Sequence, residues 1–148
     1  MFANLLNALL APAAPRLTDM DARLALAALM VRIARTDNFY AAEEVERIEK
    51  VLMQRYALAP FAAADLRRTA EALETAAPDT IRFTRALKDA VPLPDRAGLM
   101  QALWSVAVSD GSRDADEDQM LRLIANLLGL SDVDSGLARQ RAVADMAR

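Results

Sequence analysis

The side chains best placed to do chemistry in this chain are four carboxylates arranged as a repeated pair. Asp37 is followed seven residues later by Glu44, and Asp110 is followed seven residues later by Glu117. The two pairs lie 73 residues apart, each at the boundary between one apolar segment and the next. Oxygen ligands without nitrogen or sulfur favour hard cations such as Ca²⁺, Mg²⁺ or Mn²⁺. One hypothesis is therefore a divalent-cation site built from these four residues.

A structural role explains the same four carboxylates without any ligand. A glutamate in the first turn of a helix is favoured by the positive end of the helix dipole, which suits Glu44 and Glu117. An aspartate at the end of a helix, such as Asp37 or Asp110, accepts hydrogen bonds from backbone amides of the following turn. The residue pattern leaves both interpretations open.

The second of these boundaries carries the higher charge density. Residues 110–118 hold five acidic side chains against one arginine, which is a net charge of −4. The segment is not an EF-hand, because Ala115 stands where that loop requires glycine and Leu121 where it requires a bidentate glutamate. A cation site here would be of another design.

Several kinds of function are disfavoured by what the chain does not contain. Without cysteine or histidine, there are no disulfides, thiolate nucleophiles, Cys/His zinc ligands or imidazole bases. No glycine-rich loop is present to hold a nucleotide, so we expect no enzymatic activity. A net charge of −3 with 5% aromatic residues argues against a nucleic-acid surface, and favours cations or a basic protein partner.

The elements that position the four carboxylates are predicted to be helices throughout. The chain is rich in alanine and has no long segment of alternating polarity, so no strand is expected. The segments before Asp37 and Asp110 are apolar on nearly every side, which predicts two central helices, and amphipathic helices follow them. The predicted fold is all-α, a compact single-domain bundle of about seven helices with an internal two-fold helix-pair repeat. The predicted helices span about 18–36, 41–56, 60–75, 78–90, 95–109, 114–128 and 131–146.

The first residues are predicted to form a short helix that folds back onto this bundle; the alternative is an anchor for a membrane surface or a partner. Residues 1–17 form a short amphipathic segment with a proline hinge, and residues 18–148 form the helical domain. No basic region precedes the apolar stretch, as a secretory signal would require, so we expect a cytoplasmic protein. The longest apolar run, residues 24–31, is much shorter than the roughly 20 residues that span a bilayer. No transmembrane segment is therefore expected, although a position peripheral to the inner membrane is compatible with the apolar start.

Three parts of the chain together resemble the TerB-like (tellurite-resistance protein B) family. They are residues 29–37 with Glu44, Phe83-Thr84-Arg85, and residues 102–111 with Glu117. The resemblance covers about residues 18–143. It implies a compact all-helical fold of two similar halves, with metal binding suspected at Asp37, Glu44, Asp110 and Glu117. It also implies an association with bacterial stress or tellurite-resistance systems and membrane-linked assemblies, without an established catalytic activity.

The residues and the resemblance together predict a non-enzymatic domain that acts through its acidic helix junctions. In the first hypothesis, it is a stress-associated protein that holds a divalent cation. In the alternative, it is a protein–protein interaction module or a membrane-peripheral scaffold with no metal role. The partner in that case is an unidentified protein, including one at a membrane.

Overall fold

A computed structural model of the chain describes residues 19–36, 40–76, 80–109 and 115–146. These parts contain seven α-helices, one 3₁₀ turn at Leu93–Asp95 and no strand, so the predicted all-α fold is confirmed. The predicted short helix within residues 1–17 and the predicted start of the fourth helix at Pro78 lie outside the described residues. The helices are α1 (Asp19–Ala34), α2 (Ala42–Tyr56), α3 (Pro60–Ala76), α4 (Thr80–Ala90), α5 (Arg96–Ala107), α6 (Ala115–Leu127) and α7 (Asp132–Met146).

Helices α1 and α5 form the centre of the fold, as their apolar sequences predict. Every residue from Leu24 to Val31 is at most 1% exposed. Helix α1 packs mainly along α3 and α4, α5 packs mainly along α7, and the two central helices also contact each other. Because both helices are apolar on nearly all sides, each one has to be covered by several neighbours.

The chain is built of two similar three-helix units. Helices α1, α2 and α3 correspond to α5, α6 and α7, and α4 joins the two units. Hydrogen bonds at the ends of the central helices repeat with the spacing of 73 residues. The Arg35 amide donates to the Val31 carbonyl at 3.0 Å, and the Val108 amide donates to the Trp104 carbonyl at the same distance. The predicted internal repeat is therefore confirmed, and it comprises three helices in each half.

The second helix of each unit packs an apolar face against the central helices α1 and α5. In α2 this face consists of Ile48, Val51 and Leu52, and in α6 the residues 73 positions later, Leu121, Ile124 and Ala125, are buried in the same way. The outer faces carry most of the charge. Both helices thus cover the core and place their first turns beside the ends of the central helices.

The turn that follows the second helix differs between the units. In the first unit, Ala57 has φ 53° and ψ 46°, a left-handed conformation that is unfavourable for residues with a Cβ. In the second unit, Gly129 has φ 78° at the corresponding turn. Next to it, the Ser131 hydroxyl and the Asp134 carboxylate each accept a backbone N–H at 3.1 Å. This pair opens α7 and is a reciprocal capping box.

We expect Ala57→Gly to stabilise the protein. Glycine removes the penalty of the left-handed conformation but adds entropy to the unfolded chain, so the net gain in the free energy of unfolding is about 0.5–1 kcal/mol. For a domain of this size, that gain raises the midpoint by about 1–4 °C. Chemical unfolding followed by the fluorescence of Trp104, the single tryptophan, measures it.

The matched change, Gly129→Ala, should destabilise the protein by about 1 kcal/mol. The new Cβ would meet only ordinary contacts, with Arg96 Nη1 at 3.7 Å and Leu93 Cδ1 at 4.0 Å, so the loss would come from the backbone conformation. Equal stabilities for wild type and both variants would contradict this account of the two turns.

Candidate functional site

We call residues 36–44 the first junction and residues 109–117 the second junction. Glu44 and Glu117 are each the third residue of their helix, α2 or α6, and are only 2% and 3% exposed. Asp37 and Asp110, the other two carboxylates of the hypothesised site, lie outside the described residues. Glutamates are rarely buried to this extent, because an ionised carboxylate must be paired, hydrogen bonded or bound to a cation when it leaves water.

The Glu44 carboxylate has a structural partner. Its Oε1 accepts a hydrogen bond from the Ala41 backbone N–H at 3.1 Å, just before α2 begins. Ala41 has no side-chain oxygen with which to return the bond, so only half of a capping box is formed. This contact agrees with the interpretation of Glu44 as a first-turn helix cap.

At the second junction, the buried Glu117 lies between two further acids of the first turn of α6. Asp116 is exposed and Asp118 is half-buried. The positive end of the helix dipole favours such charges. Among the described residues, no three acidic side chains converge on one point where a metal could be held. The four-residue site therefore stays a prediction, because it requires Asp37 and Asp110.

Arginines distinguish the first junction from the second. Arg32 and Arg35, in the last turn of α1 and just after it, contact the carboxylate of Glu74 on α3 at 3.5 and 3.1 Å. Glu74 is only 7% exposed, so the cluster joins α1 to α3 through a buried acid. At the corresponding positions of the second half stand Ser105 and Val108. The first junction thus has two cationic side chains beside it where the second has neutral ones.

A second polar cluster, centred on Arg67, joins α2 to α3. Arg67 donates to Glu49 and Glu71, both at 2.7 Å. Burial alone would lower the pKa of Arg67, but its hydrogen bonds to the two glutamates outweigh burial and raise the pKa. Burial, and then the neighbouring Glu71, raise the pKa of Tyr40 far above its usual range, so the phenol is neutral at physiological pH. The ring of Tyr40 also lies 5.3 Å from the guanidinium carbon of Arg35.

Neither polar cluster was predicted from the sequence. The contacts of Glu74 with Arg32 and Arg35, and that of Arg67 with Glu49, join residues 18 to 42 positions apart, and no local pattern predicts such pairings. Arg67 and Glu71, in contrast, are four residues apart on α3, a spacing typical of helical ion pairs. The signal that could have been noticed is the pair of arginines three residues apart at the end of an otherwise apolar helix. A helix that buries most of its surface needs an acidic partner for such side chains.

Two further features bear on the kind of function. The hydroxyls of Ser105 and Ser109 each donate to a carbonyl of α5 at 2.7 Å, so these protons are already hydrogen bonded. None of the helices in the described ranges is both long and apolar enough to cross a membrane.

Comparison with known proteins identifies the family. Residues 23–140 match the family described as Tellurite resistance protein TerB, a span that includes both junctions. A search of curated proteins and a search of solved structures found no match. Because the match covers most of the chain and agrees with its all-helical fold, the chain belongs to the tellurite resistance protein TerB family.

Proposed function

We propose that this TerB-family chain is a non-enzymatic, stress-associated domain whose acidic junctions bind a divalent cation. The observation that carries the proposal is the repeated burial of a glutamate, Glu44 in one half and Glu117 in the other. The ligands would be these glutamates together with Asp37 and Asp110. Their oxygen-only chemistry suits Ca²⁺, Mg²⁺ or Mn²⁺.

Stabilisation of the helix ends does not by itself require burial. In the first turn of α2, Glu43 is exposed, and in the first turn of α6, Asp116 is exposed. Each of these can interact favourably with the helix dipole while remaining in water. The additional carboxylate that each helix buries is therefore better explained by a role that needs its charge inside, such as coordination of an ion.

The second junction is the stronger candidate of the two. Its net charge of −4 over residues 110–118 attracts a cation, and Ser105 and Val108 add no opposing charge. At the first junction, Arg32 and Arg35 lie close to the buried acid Glu74 and raise the local potential. We therefore expect the ion to bind at Asp110 and Glu117 in preference to Asp37 and Glu44.

One observation favours the alternative function. The Glu44 carboxylate already accepts the Ala41 N–H, which is what a helix cap requires. If both glutamates are caps, the acidic surface serves to dock a basic protein partner, including one at a membrane, and no metal is involved.

Thermal unfolding with and without metal tests the cation proposal. We expect Ca²⁺, Mg²⁺ or Mn²⁺, added to chelator-treated protein at constant ionic strength, to raise the unfolding midpoint. Binding to the folded state alone adds about 2.7 kcal/mol at 100 times the dissociation constant. The Asp110→Asn/Glu117→Gln variant should lose this increase. Trp104 fluorescence and circular dichroism give the midpoint and show that the variant folds.

The matched control is Asp37→Asn/Glu44→Gln, which removes the same charges from the first junction. Glutamine retains an oxygen that can accept the Ala41 N–H, so this variant should fold and keep most of the metal response. If none of the three ions raises the unfolding midpoint of the wild type, the cation proposal is overturned in favour of the docking module. If metal raises the midpoint of the Asp110→Asn/Glu117→Gln variant as much as that of the wild type, the ion binds elsewhere.

The single change Glu117→Gln separates a ligand from a cap without any metal. In chelator, a ligand carboxylate is repelled by the acids around it. We expect the relief of this repulsion to exceed the lost interaction with the helix dipole, so neutralisation should stabilise the protein by about 1 kcal/mol. A cap would instead lose about 0.3–1 kcal/mol of interaction with the helix dipole. Denaturant unfolding in chelator measures the sign, and a loss of stability would count against the ligand role.

A further inference from the structure

The two-fold repeat creates two equivalent grooves, and α4 fills one of them. It packs between α1 and α6, with Phe83 and Leu87 buried. At its start, the Thr80 hydroxyl accepts a hydrogen bond from Arg32 Nε and donates to Met120 Sδ at 3.6 Å. Just beyond its other end, Arg96 Nη1 donates to the Leu128 carbonyl at 3.0 Å. An eleven-residue helix of the chain itself thus occupies this groove.

The equivalent groove lies between α5 and α2 and is bounded by α7. It contains a cavity of about 270 Å³ whose lining includes Arg47 and Ser105. In the repeat of 73 residues, Arg47 corresponds to Met120 and Ser105 corresponds to Arg32. Met120 and Arg32 are the residues that Thr80 contacts in the filled groove. No helix from the described parts of the chain covers this second groove.

The open groove differs from the filled one in charge. Arg47 and Arg55 line it where the filled groove has Met120 and Leu128. Within the described parts of the chain, neither arginine forms an ion pair. The acidic side chain in the lining is Asp145, which accepts a hydrogen bond from Gln101 Nε2 at 2.7 Å. The lining therefore has a net charge of +1.

Gly98 leaves room for the side chain of Arg55 beside α5. A Cβ at this position would lie 3.3 Å from Arg55 Nη1, closer than an ordinary contact. The guanidinium of Arg55 thus rests on the backbone of α5 at the edge of the cavity. Buried small residues, Ala102 and Ala142, form part of the lining and leave room for an incoming side chain.

The spacing of the arginines indicates the shape of the ligand. Arg47 and Arg55 are eight residues apart on α2, which is about 12 Å along the helix axis. Such a separation exceeds the size of a single phosphate group, but it matches two acidic side chains about two turns apart on another helix. A helix is also what the equivalent groove holds.

We propose that the open groove binds an amphipathic helix of a partner protein, with acidic residues two turns apart that pair with Arg47 and Arg55. The charges disfavour two other occupants. Helix α4 of a second copy carries Arg82, Arg85 and Lys88, and residues 1–18 contain no acidic residue. The proposal does not depend on cation binding at the acidic junctions.

The probe is a synthetic peptide with the α4 sequence, residues 80–90, carrying Ile81→Glu, Arg85→Gln and Lys88→Glu. Both new acids replace side chains that are exposed on α4, so the apolar face that fits the equivalent groove is retained. In a titration of the full chain followed by nuclear magnetic resonance, we expect shifts of the Gly98, Gln101 and Ser105 amides. The unmodified, basic α4 peptide should bind at least about tenfold more weakly.

Charge reversal on the protein supplies the decisive comparison. Arg47→Glu/Arg55→Glu should weaken binding of the acidic peptide by about tenfold or more and improve binding of the basic peptide. Lys50→Glu/Arg85→Glu changes the net charge equally at exposed positions outside the groove and should have little effect. If the reversed variant does not fold by circular dichroism, Arg47→Gln/Arg55→Gln replaces it.

Three results would overturn the proposal. The first is the absence of shifts at the groove amides. The second is equal weakening by the groove variant and by the Lys50/Arg85 variant, which would indicate non-specific attraction. The third is a change in the chemical shifts of the groove amides when residues 1–18 are deleted, which would identify that segment as the occupant. A change of these shifts with protein concentration would instead identify a second copy of the chain.

Discussion

Helices α1 and α5 are apolar on nearly every side and have to be buried, and the positions of the other helices follow from this requirement. Neither α1 nor α5 can exist in water with its surface exposed, and a single neighbour covers only part of a helix. Each is therefore surrounded by amphipathic helices from its own unit and from the other unit. This requirement draws the two halves into one core and brings the junctions, where each central helix ends, into similar surroundings.

Repetition of the fold does not mean repetition of the charges. The backbone hydrogen bonds at the two helix ends have the same lengths, and Glu44 and Glu117 are buried to the same degree. In contrast, Arg32 and Arg35 have neutral counterparts in the second half. Because a buried or half-buried charge alters the potential around it, two junctions with one geometry can differ in their affinity for an ion.

The same divergence explains why the two grooves differ. Met120 and Leu128 make one groove apolar, and α4 covers it, whereas Arg47 and Arg55 place two positive charges in the lining of the other. A helix covers an apolar groove of its own chain because burial is favourable, but charged side chains lose hydration unless a partner compensates them. A duplicated fold with one crossover helix thus retains one groove that no helix from the described residues covers.

The helices, their order and the repeat could be predicted from the sequence, because they follow from local patterns. Apolar residues every three or four positions, Pro60 at a helix start and Gly129 at a helix end act over a few residues, as does the Ser131–Asp134 pair. The resemblance also identified the TerB family. The packing of the helices sets the contacts of Glu74 with two arginines and of Arg67 with Glu49. It also places α4 in one groove and leaves the other without a covering helix from the described residues. These contacts join residues far apart in the chain, so their partners are set by how the helices pack, which no local pattern encodes.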